Sequence, residues 1–311
     1  MNIQQLEYII AVDSCRHFVK ASEKCYVTQA TLSMMIKKLE EELNIKIFDR
    51  SRQPVVPTEI GNKIIAQAKI ILQESNRLKE IVQEEQGELN GELKIGIIPT
   101  LAPYLLPLFM NSFLKKYPLV RLRISELTTD DIVHKLEQHD LDAGLLSTPL
   151  NLSSLTEQTL FYEEFVVFAS SKEKILQKKY VLANDIDINR LCLLEEGHCL
   201  RSQVFNLCEL RNKEKELHQL DFATGSIETL KKIVEVNQGI TILPMLALKD
   251  MSPKQKNNIR YFKAPIPVRE IGLVTYRYFV KEKLIKSLKE EILNHIPIEM
   301  KSGFKKNIIN I

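Results

Sequence analysis

The chain lacks most of what would mark it as secreted, membrane-bound or broadly basic. Five cysteines in 311 residues are too few for the disulfide framework of a small secreted domain. No run of about 18 or more uncharged apolar residues occurs, so no membrane span is expected. Residues 1–7, Met-Asn-Ile-Gln-Gln-Leu-Glu, have neither the basic flank nor the apolar core of a signal peptide, so a cytoplasmic protein is expected. In that reducing compartment a disulfide is transient and regulatory. Charge of one sign is also lacking. The formal net charge is +3, and residues 1–60 balance eight Lys/Arg against eight Asp/Glu. Any nucleic-acid contact must therefore come from local clustering of cations. Paired CxxC or HxxxH spacings are absent, so neither a metal nor another cofactor is expected.

What is present has an ordinary globular balance, 44% hydrophobic and 27% charged, at a length that suits two or three domains. Ile3, Leu6, Ile9 and Ile10 predict a helix over 3–13, and a second short helix follows over 18–25. Tyr26 and Val27 make a turn. Thr28 is placed as the N-cap of a third helix carrying Thr31, Leu32, Met35, Ile36, Leu39 and Leu43. This order is a helix-turn-helix. The prolines of Asp49 to Pro57 exclude helix and predict an extended wing. Residues 58–86 read as one long helix with an apolar stripe through Ile64, Ile65, Ala68, Ile71, Leu72, Leu78, Ile81 and Val82. So small a headpiece has no preceding element to bury that stripe, which predicts a dimerisation linker helix, ended by Gly87 and Gly91.

Beyond residue 91 the pattern alternates. Strands are expected over 93–98, 120–124, 143–146, 164–169, 239–244 and 270–275. Helices are expected around 101–116, 129–138, 226–236 and 281–295. Such βα units imply a largely parallel sheet, with two α/β lobes and a cleft that Pro99 to Leu101 would face.

The run Glu195-Glu196-Gly197-His198-Cys199-Leu200-Arg201, with Cys208 beyond it, carries the chemistry. Positive neighbours stabilise a thiolate, the form that peroxides oxidise. His198 and Arg201 flank Cys199, and Cys208 lies nine positions on, near enough in sequence to resolve a sulfenic acid. If residues 200–207 are helical, the two cysteines stand about 13 Å apart by helical rise. A disulfide needs Cα atoms within about 7 Å, so pairing would require the segment to rearrange. On the residues alone, both cysteines could equally be inert core thiols. Cys15, Cys25 and Cys192 read as structural. Thr100 and Thr129, taken singly, read as helix caps, and His198 and Arg269 as surface groups. Thr28, Gln29, Thr31, Ser33, Lys37, Arg50 and Arg52 are either a solvated face or DNA contacts. Gln29 suits adenine, Thr31 a thymine methyl, and Lys37, Arg50 and Arg52 phosphates or the minor groove.

Two sets of motifs carry a resemblance. Phe18 to Ala21, Val27-Thr28-Gln29-Ala30-Thr31-Leu32-Ser33, Ile36, Leu39-Glu40, Leu43, Phe48, Arg50 and Thr58 resemble the LysR-type transcriptional regulators. Asn44 stands where that family usually has glycine, and Asn also tolerates the left-handed conformation. Ile98-Pro99-Thr100, Pro103 to Pro107, Gly197 to Arg201 with Cys208, Ala223-Thr224, Glu228 to Leu230, Gly239 to Thr241, Leu243-Pro244, Arg269 and Ile271 to Leu273 are similar to the peroxide-sensing members of that family. The resemblance implies an α+β and α/β chain. It has a winged helix-turn-helix (1–58), a linker helix (59–88) and a two-lobed, periplasmic-binding-protein-like regulatory domain (91–311). Lobe I covers about 91–164 plus 268–300, and lobe II about 165–267. It also implies a homodimer or homotetramer on double-stranded promoter DNA, with RNA polymerase and a glutaredoxin- or thioredoxin-type reductant as partners. Cys199 is then the peroxide-reactive thiol and Cys208 its disulfide partner, while Thr100, Thr129, His198 and Arg269 line the peroxide pocket. Thr128 is an alternative to Thr129. The rivals are a LysR-type regulator taking a small organic co-inducer in the cleft, and a thiol-dependent peroxidase; the helix-turn-helix argues against an enzyme.

Overall fold

The computed structural model describes residues 1–51, 53–85, 89–208, 224–237, 239–277, 281–301 and 307–309. The chain divides into two compact units, Met1–Glu88 and Leu89–Ile311. Among the described residues no helix is long and apolar enough to cross a membrane.

In the first unit, α1 (Ile3–Cys15), α2 (Phe18–Lys24) and α3 (Gln29–Leu43) each start at a side-chain cap. Asn2 accepts from the Gln5 N–H and Gln5 returns a bond to the Asn2 N–H. His17 accepts from Val19 and Thr28 from Thr31, each satisfying an orphan N–H of the first turn. Asn44 ends α3 in the left-handed region at φ 52°. Strands β1 (Phe48–Asp49) and β2 (Val56–Pro57) pair antiparallel as the wing. A long helix, α4 (Glu59–Glu85), follows. Its Gly61 lies against the wing so closely that a Cβ would stand 2.0 Å from the Ile47 carbonyl oxygen.

The apolar stripe of α4 corrects the expectation that the headpiece leaves it bare. Ile65 and Ala68 are buried in the core made by Leu6, Ile9, Val12, Leu32, Ile36 and Leu39, and Ile64, Ile71 and Leu72 pack at its edge. α1 lies along the first turns of α4 and covers that half. Leu78, further along, is 68% exposed. The side chains of Ile81 and Val82, together with Gly87 and Arg52, lie outside the described residues.

Glu40 knits this unit together from inside. Its side chain is 1% exposed. One oxygen accepts the N–H groups of Ile47 and Phe48 at 2.8 and 3.3 Å, and the other takes Arg50 at 3.2 Å. A buried carboxylate with charge-assisted bonds is costly to remove because its donors are then stranded. Glu40→Ala should destabilise the headpiece by about 2–4 kcal/mol in chemical denaturation, whereas Glu41→Ala, on the exposed face, should leave it unchanged. Equal effects would contradict this role.

The second unit begins with β3 (Gly91–Ile97), α5 (Ala102–Lys116), β4 (Val120–Glu126), α6 (Thr129–Glu137) and β5 (Ala143–Thr148). β6 (Leu155–Ala169), β7 (Tyr180–Val181), α7 (Cys199–Leu207), α8 (Ile227–Asn237) and β8 (Ile240–Pro244) follow. It ends with α9 (Pro253–Lys256), β9 (Ile259–Phe262), β10 (Pro267–Tyr276), α10 (Glu282–His295), α11 (Ile298–Lys301) and β11 (Asn307–Ile308). The strand order is β4-β3-β5-β10-β6-β9-β7, with β8 on β6 and β11 on β10. The sheet is mixed, which corrects the largely parallel expectation. β3 pairs parallel with β4 and β5, but β10 runs antiparallel to both β5 and β6, and β6 antiparallel to β8 and β9. The reason is connectivity: β6 carries the chain from one lobe to the other and β10 brings it back. β6 also starts at Leu155, well before the expected residue 164. Its stretch Thr156 to Thr159 is polar and exposed or half-buried and presents no apolar run; pairing with β10 makes it a strand.

Candidate functional site

The site is built on one face of the central strands. Arg269 on β10 lies directly opposite Glu163 on β6, and both side chains are fully buried. The Arg269 Nε donates to Glu163 Oε2 at 2.9 Å, and NH2 forms an ion pair with the same oxygen at 2.8 Å. Glu163 Oε1 accepts the Leu246 N–H at 2.7 Å. Arg269 also donates to Thr100, from NH1 to Oγ1 at 3.0 Å and from NH2 to the carbonyl oxygen at 3.3 Å. Of the five N–H groups of a guanidinium, one on NH1 is left over among the described residues.

Ser147 on β5 pairs with Ile271, two residues along β10 from Arg269. Residues two apart, and cross-strand partners, share a face, so Ser147 and Arg269 are diagonal neighbours on it. The Cys199 thiol donates to Ser147 Oγ at 3.6 Å. The thiol and the guanidinium thus sit over the same patch of sheet. Cys199 is the first residue of α7 and is buried, 4% exposed. Gly197 just before it takes φ +87°, a turn that favours glycine. A Cβ there would come within 3.8 Å of the Thr128 methyl, so the loop before α7 abuts the start of α6.

The structure decides the two threonine readings. Thr100 is no cap: Leu101 occupies the N-cap of α5 without a side-chain bond, and the Thr100 hydroxyl serves Arg269. Thr128 is the cap of α6, accepting from Asp131 N–H. Thr129 is left with a buried hydroxyl that has no partner among the described residues. His198 and Arg269, read singly as surface groups, are both buried. His198 Nε2 stands 3.5 Å from Glu195. Arg201 turns elsewhere: it donates to the Leu194 carbonyl at 2.9 Å and lies over the Phe205 ring. Glu163 and Ser147 were missed by sequence reasoning. An acidic residue inside the apolar run Phe161 to Phe168 was the available signal for Glu163; the expected strand stopped one residue short of Ser147.

Cys208 caps the C-terminal end of α7, giving its N–H to Val204 and Asn206 carbonyls. Burial pushes its thiol up to about 11, and burial also raises Cys192 and Cys25. All five cysteines are free. Nine residues of helical rise, about 13 Å, separate Cys199 from Cys208, beyond the reach of a disulfide.

In the first unit, Gln29, Ala30, Met34 and Lys37 form an exposed face of α3, with Ser33 half-buried among them. Thr28 and Thr31 are bonded to each other at 2.9 Å. Lys37 pairs with Glu41 at 3.6 Å. Arg50 divides itself between Ser33, Glu40 and the ring of Phe18. Met34, 62% exposed, was not singled out from sequence; an apolar residue at a polar helix position was the available signal.

Two measurements test this geometry. Thr129→Val removes a buried hydroxyl without a partner, so stability should be unchanged or slightly raised, while any chemistry that uses the hydroxyl slows. A loss of more than about 1 kcal/mol would show a hidden partner. A Cys208 thiol near 11 against about 8.5 for an exposed one keeps its proton in the fold. That stabilising contribution is intact below about pH 8.5 and lost as pH rises through about 11. Alkylation of Cys208 in the reduced protein at pH 7.5 should be roughly two to three orders of magnitude slower than for a free thiol, and speed up as α7 opens at alkaline pH. Labelling as fast as a model thiol would contradict the burial.

Comparison with known proteins gives a consistent picture. Residues 3–62 match the model for the bacterial regulatory helix-turn-helix protein, lysR family, and residues 86–296 that for the LysR substrate binding domain. The hydrogen peroxide-inducible genes activator of Haemophilus influenzae is 33% identical over 276 residues, covering 88% of this chain and 90% of that protein. A full-length OxyR variant from Pseudomonas aeruginosa superposes with a TM-score of 0.79 at 30% identity, covering 95% of this chain and 99% of that one. A hydrogen peroxide-bound cysteine-to-serine mutant of Corynebacterium glutamicum OxyR aligns at a TM-score of 0.61 and 25% identity, over 94% and 92% of the two chains.

Proposed function

The chain belongs to the LysR family of bacterial transcription regulators, and we propose that it is a peroxide-responsive activator switched by a Cys199–Cys208 disulfide. The observation that carries this is the Cys199 thiol held against Ser147 on the same sheet face as a buried guanidinium with one N–H to spare. In this reading the sulfur of the Cys199 thiolate attacks one oxygen of hydrogen peroxide and the O–O bond breaks, leaving a sulfenic acid and hydroxide. Arg269, with Glu163 neutralising its charge, donates its remaining N–H to the departing oxygen. The unpartnered Thr129 hydroxyl, Thr100 and His198 border the volume the peroxide would fill. The Cys208 sulfur then attacks the sulfenic sulfur and expels water, giving the disulfide. Because the two thiols cannot meet across an intact α7, this second step unwinds the helix, and that refolding is the signal.

The exposed face of α3 is the DNA-reading surface in this proposal. Gln29, Ser33 and Lys37 face the major groove, Thr28 and Thr31 fix the helix start, and Arg50, with Arg52 by its sequence position alone, would take phosphates or the minor groove. The exposed part of α4 supports dimerisation, and a dimer of dimers would space four headpieces along an extended promoter site. RNA polymerase is the target of the activated form, and a glutaredoxin- or thioredoxin-type reductant resets it.

The test is a thiol map by mass spectrometry after about one equivalent of peroxide. A Cys199–Cys208 disulfide should form within seconds and be absent in Cys199→Ser. Arg269→Lys, which keeps the charge but loses the planar fork, should slow sulfenic acid formation about 100-fold, the scale seen when one oxyanion donor is lost. If all five thiols stay reduced, the peroxide reading fails, and a small organic co-inducer in the cleft replaces it.

A further inference from the structure

The last described residues of the chain enter the sensor itself. β11 runs parallel to the start of β10, with Asn307 opposite Pro267 and Ile308 opposite Val268. The Ile309 N–H donates to the Val268 carbonyl at 2.9 Å. Val268 also pairs with Glu164 of β6, so β11 occupies the other edge of β10, the one β5 uses. β5 reaches only to Thr148, opposite Glu270. β11 therefore fills the slot that β5 vacates, and Arg269 lies at the seam between the two.

The same tail holds α7. Gln203 is fully buried, and its Nε2 donates to the Ile309 carbonyl at 3.2 Å. Its Oε1 is buried without a partner among the described residues, so the side chain is held here by that one bond and by packing. Ile309 shares a core with Cys199, Leu200 and Val204. Gln203 stands four residues after Cys199 and five before Cys208, in the middle of the segment that must unwind.

We propose that residues 307–309 are a latch on the reduced state: Gln203 and Ile309 position α7 as a helix, and the disulfide forms only when that bond lets go. The proposal rests on the Cys199–Cys208 switch proposed above. Contacts made in only one of two states favour that state by their own free energy. The latch bonds mid-helix, so it acts on the second step. Attack of Cys199 on peroxide leaves α7 helical and does not break it. Condensation of the sulfenic acid with Cys208, which forms S–S and releases water, does.

Three full-length variants and one truncation test this. Sulfenic acid formation is read with a dimedone-type probe in the Cys208→Ser background, with and without Gln203→Leu. Disulfide formation is read by maleimide gel shift after peroxide, and its equilibrium in glutathione redox buffers, for the wild type, for Gln203→Leu and for a chain ending at Lys306. Gln203→Leu should leave the sulfenic step within about twofold, speed the disulfide step about fivefold or more, and shift the thiol–disulfide equilibrium about tenfold toward the disulfide, or about 30 mV. The truncation should raise the ratio of the second rate to the first in the same direction. If it does not fold, Gln203→Leu alone decides. Rates and equilibrium within twofold of wild type in Gln203→Leu overturn the latch while leaving the switch standing. A wild type that forms no Cys199–Cys208 disulfide overturns the switch itself.

Discussion

The ion pair between Arg269 and Glu163 organises the regulatory unit. It joins β10 to β6, the two strands that cross between lobes, and ties in Thr100 ahead of α5 and Leu246 after β8. Four separate stretches of chain meet around one ion pair that is completely buried. A buried ion pair is rarely worth more than a well-packed apolar pair, because desolvation consumes the Coulomb gain. Breaking it, however, leaves a naked charge in the core at a cost of about 3–5 kcal/mol. What it provides is position: a donor fixed by Glu163 and Thr100 cannot turn away from the sheet face that also carries the Cys199 thiol. The Thr129 hydroxyl at the start of α6, unpartnered among the described residues, fits the same logic, since a polar atom left unsatisfied in a core is tolerated where function uses it.

The second constraint is geometric. A nine-residue helix and a disulfide between its ends exclude one another, so the proposed Cys199–Cys208 bond would give the segment two discrete arrangements and no continuous path of partial ones. In the proposed function this is what would turn a local bond into a switch. Burial of Cys208 raises its thiol pKa and shields it while α7 is intact, which disfavours the reactive thiolate. The tail strand adds a further hold on the same helix. In the proposed switch, each of these contacts favours the resting fold over the oxidised arrangement.

How much of this was legible in the sequence depended on how local the information was. The Thr28 cap, the left-handed Asn44 and the helix lengths follow from neighbours a few residues apart, and the structure has them where the residues implied. The cysteine pair was legible as a motif. The antiparallel pairing of β6 with β10 was not, because it joins residues more than a hundred apart and carries no local signature. The same distance hid the role of Thr100. As the residue after a proline at a helix start it reads as a cap; only the arrival of Arg269, 169 residues later, gives its hydroxyl another use. Glu163 and Ser147 went unseen for that reason too: each acts through a partner from a different strand or helix.

The headpiece shows how a nearly neutral surface can still select DNA. Its cations are balanced within the unit: Arg50 and Lys46 against Glu40, and Lys37 against Glu41. Phosphate attraction grows with the number of uncompensated cations, so non-specific affinity should be weak per headpiece. Discrimination then falls to groups that touch base edges, and the exposed face of α3 offers few: the Gln29 amide, the Lys37 ammonium and the apolar surfaces of Ala30 and Met34. A weak single headpiece also makes binding depend on how several are spaced, since joining them multiplies affinity only when the geometry lets all engage. The change in spacing that the proposed switch implies would therefore act on the quantity to which such a surface is most sensitive.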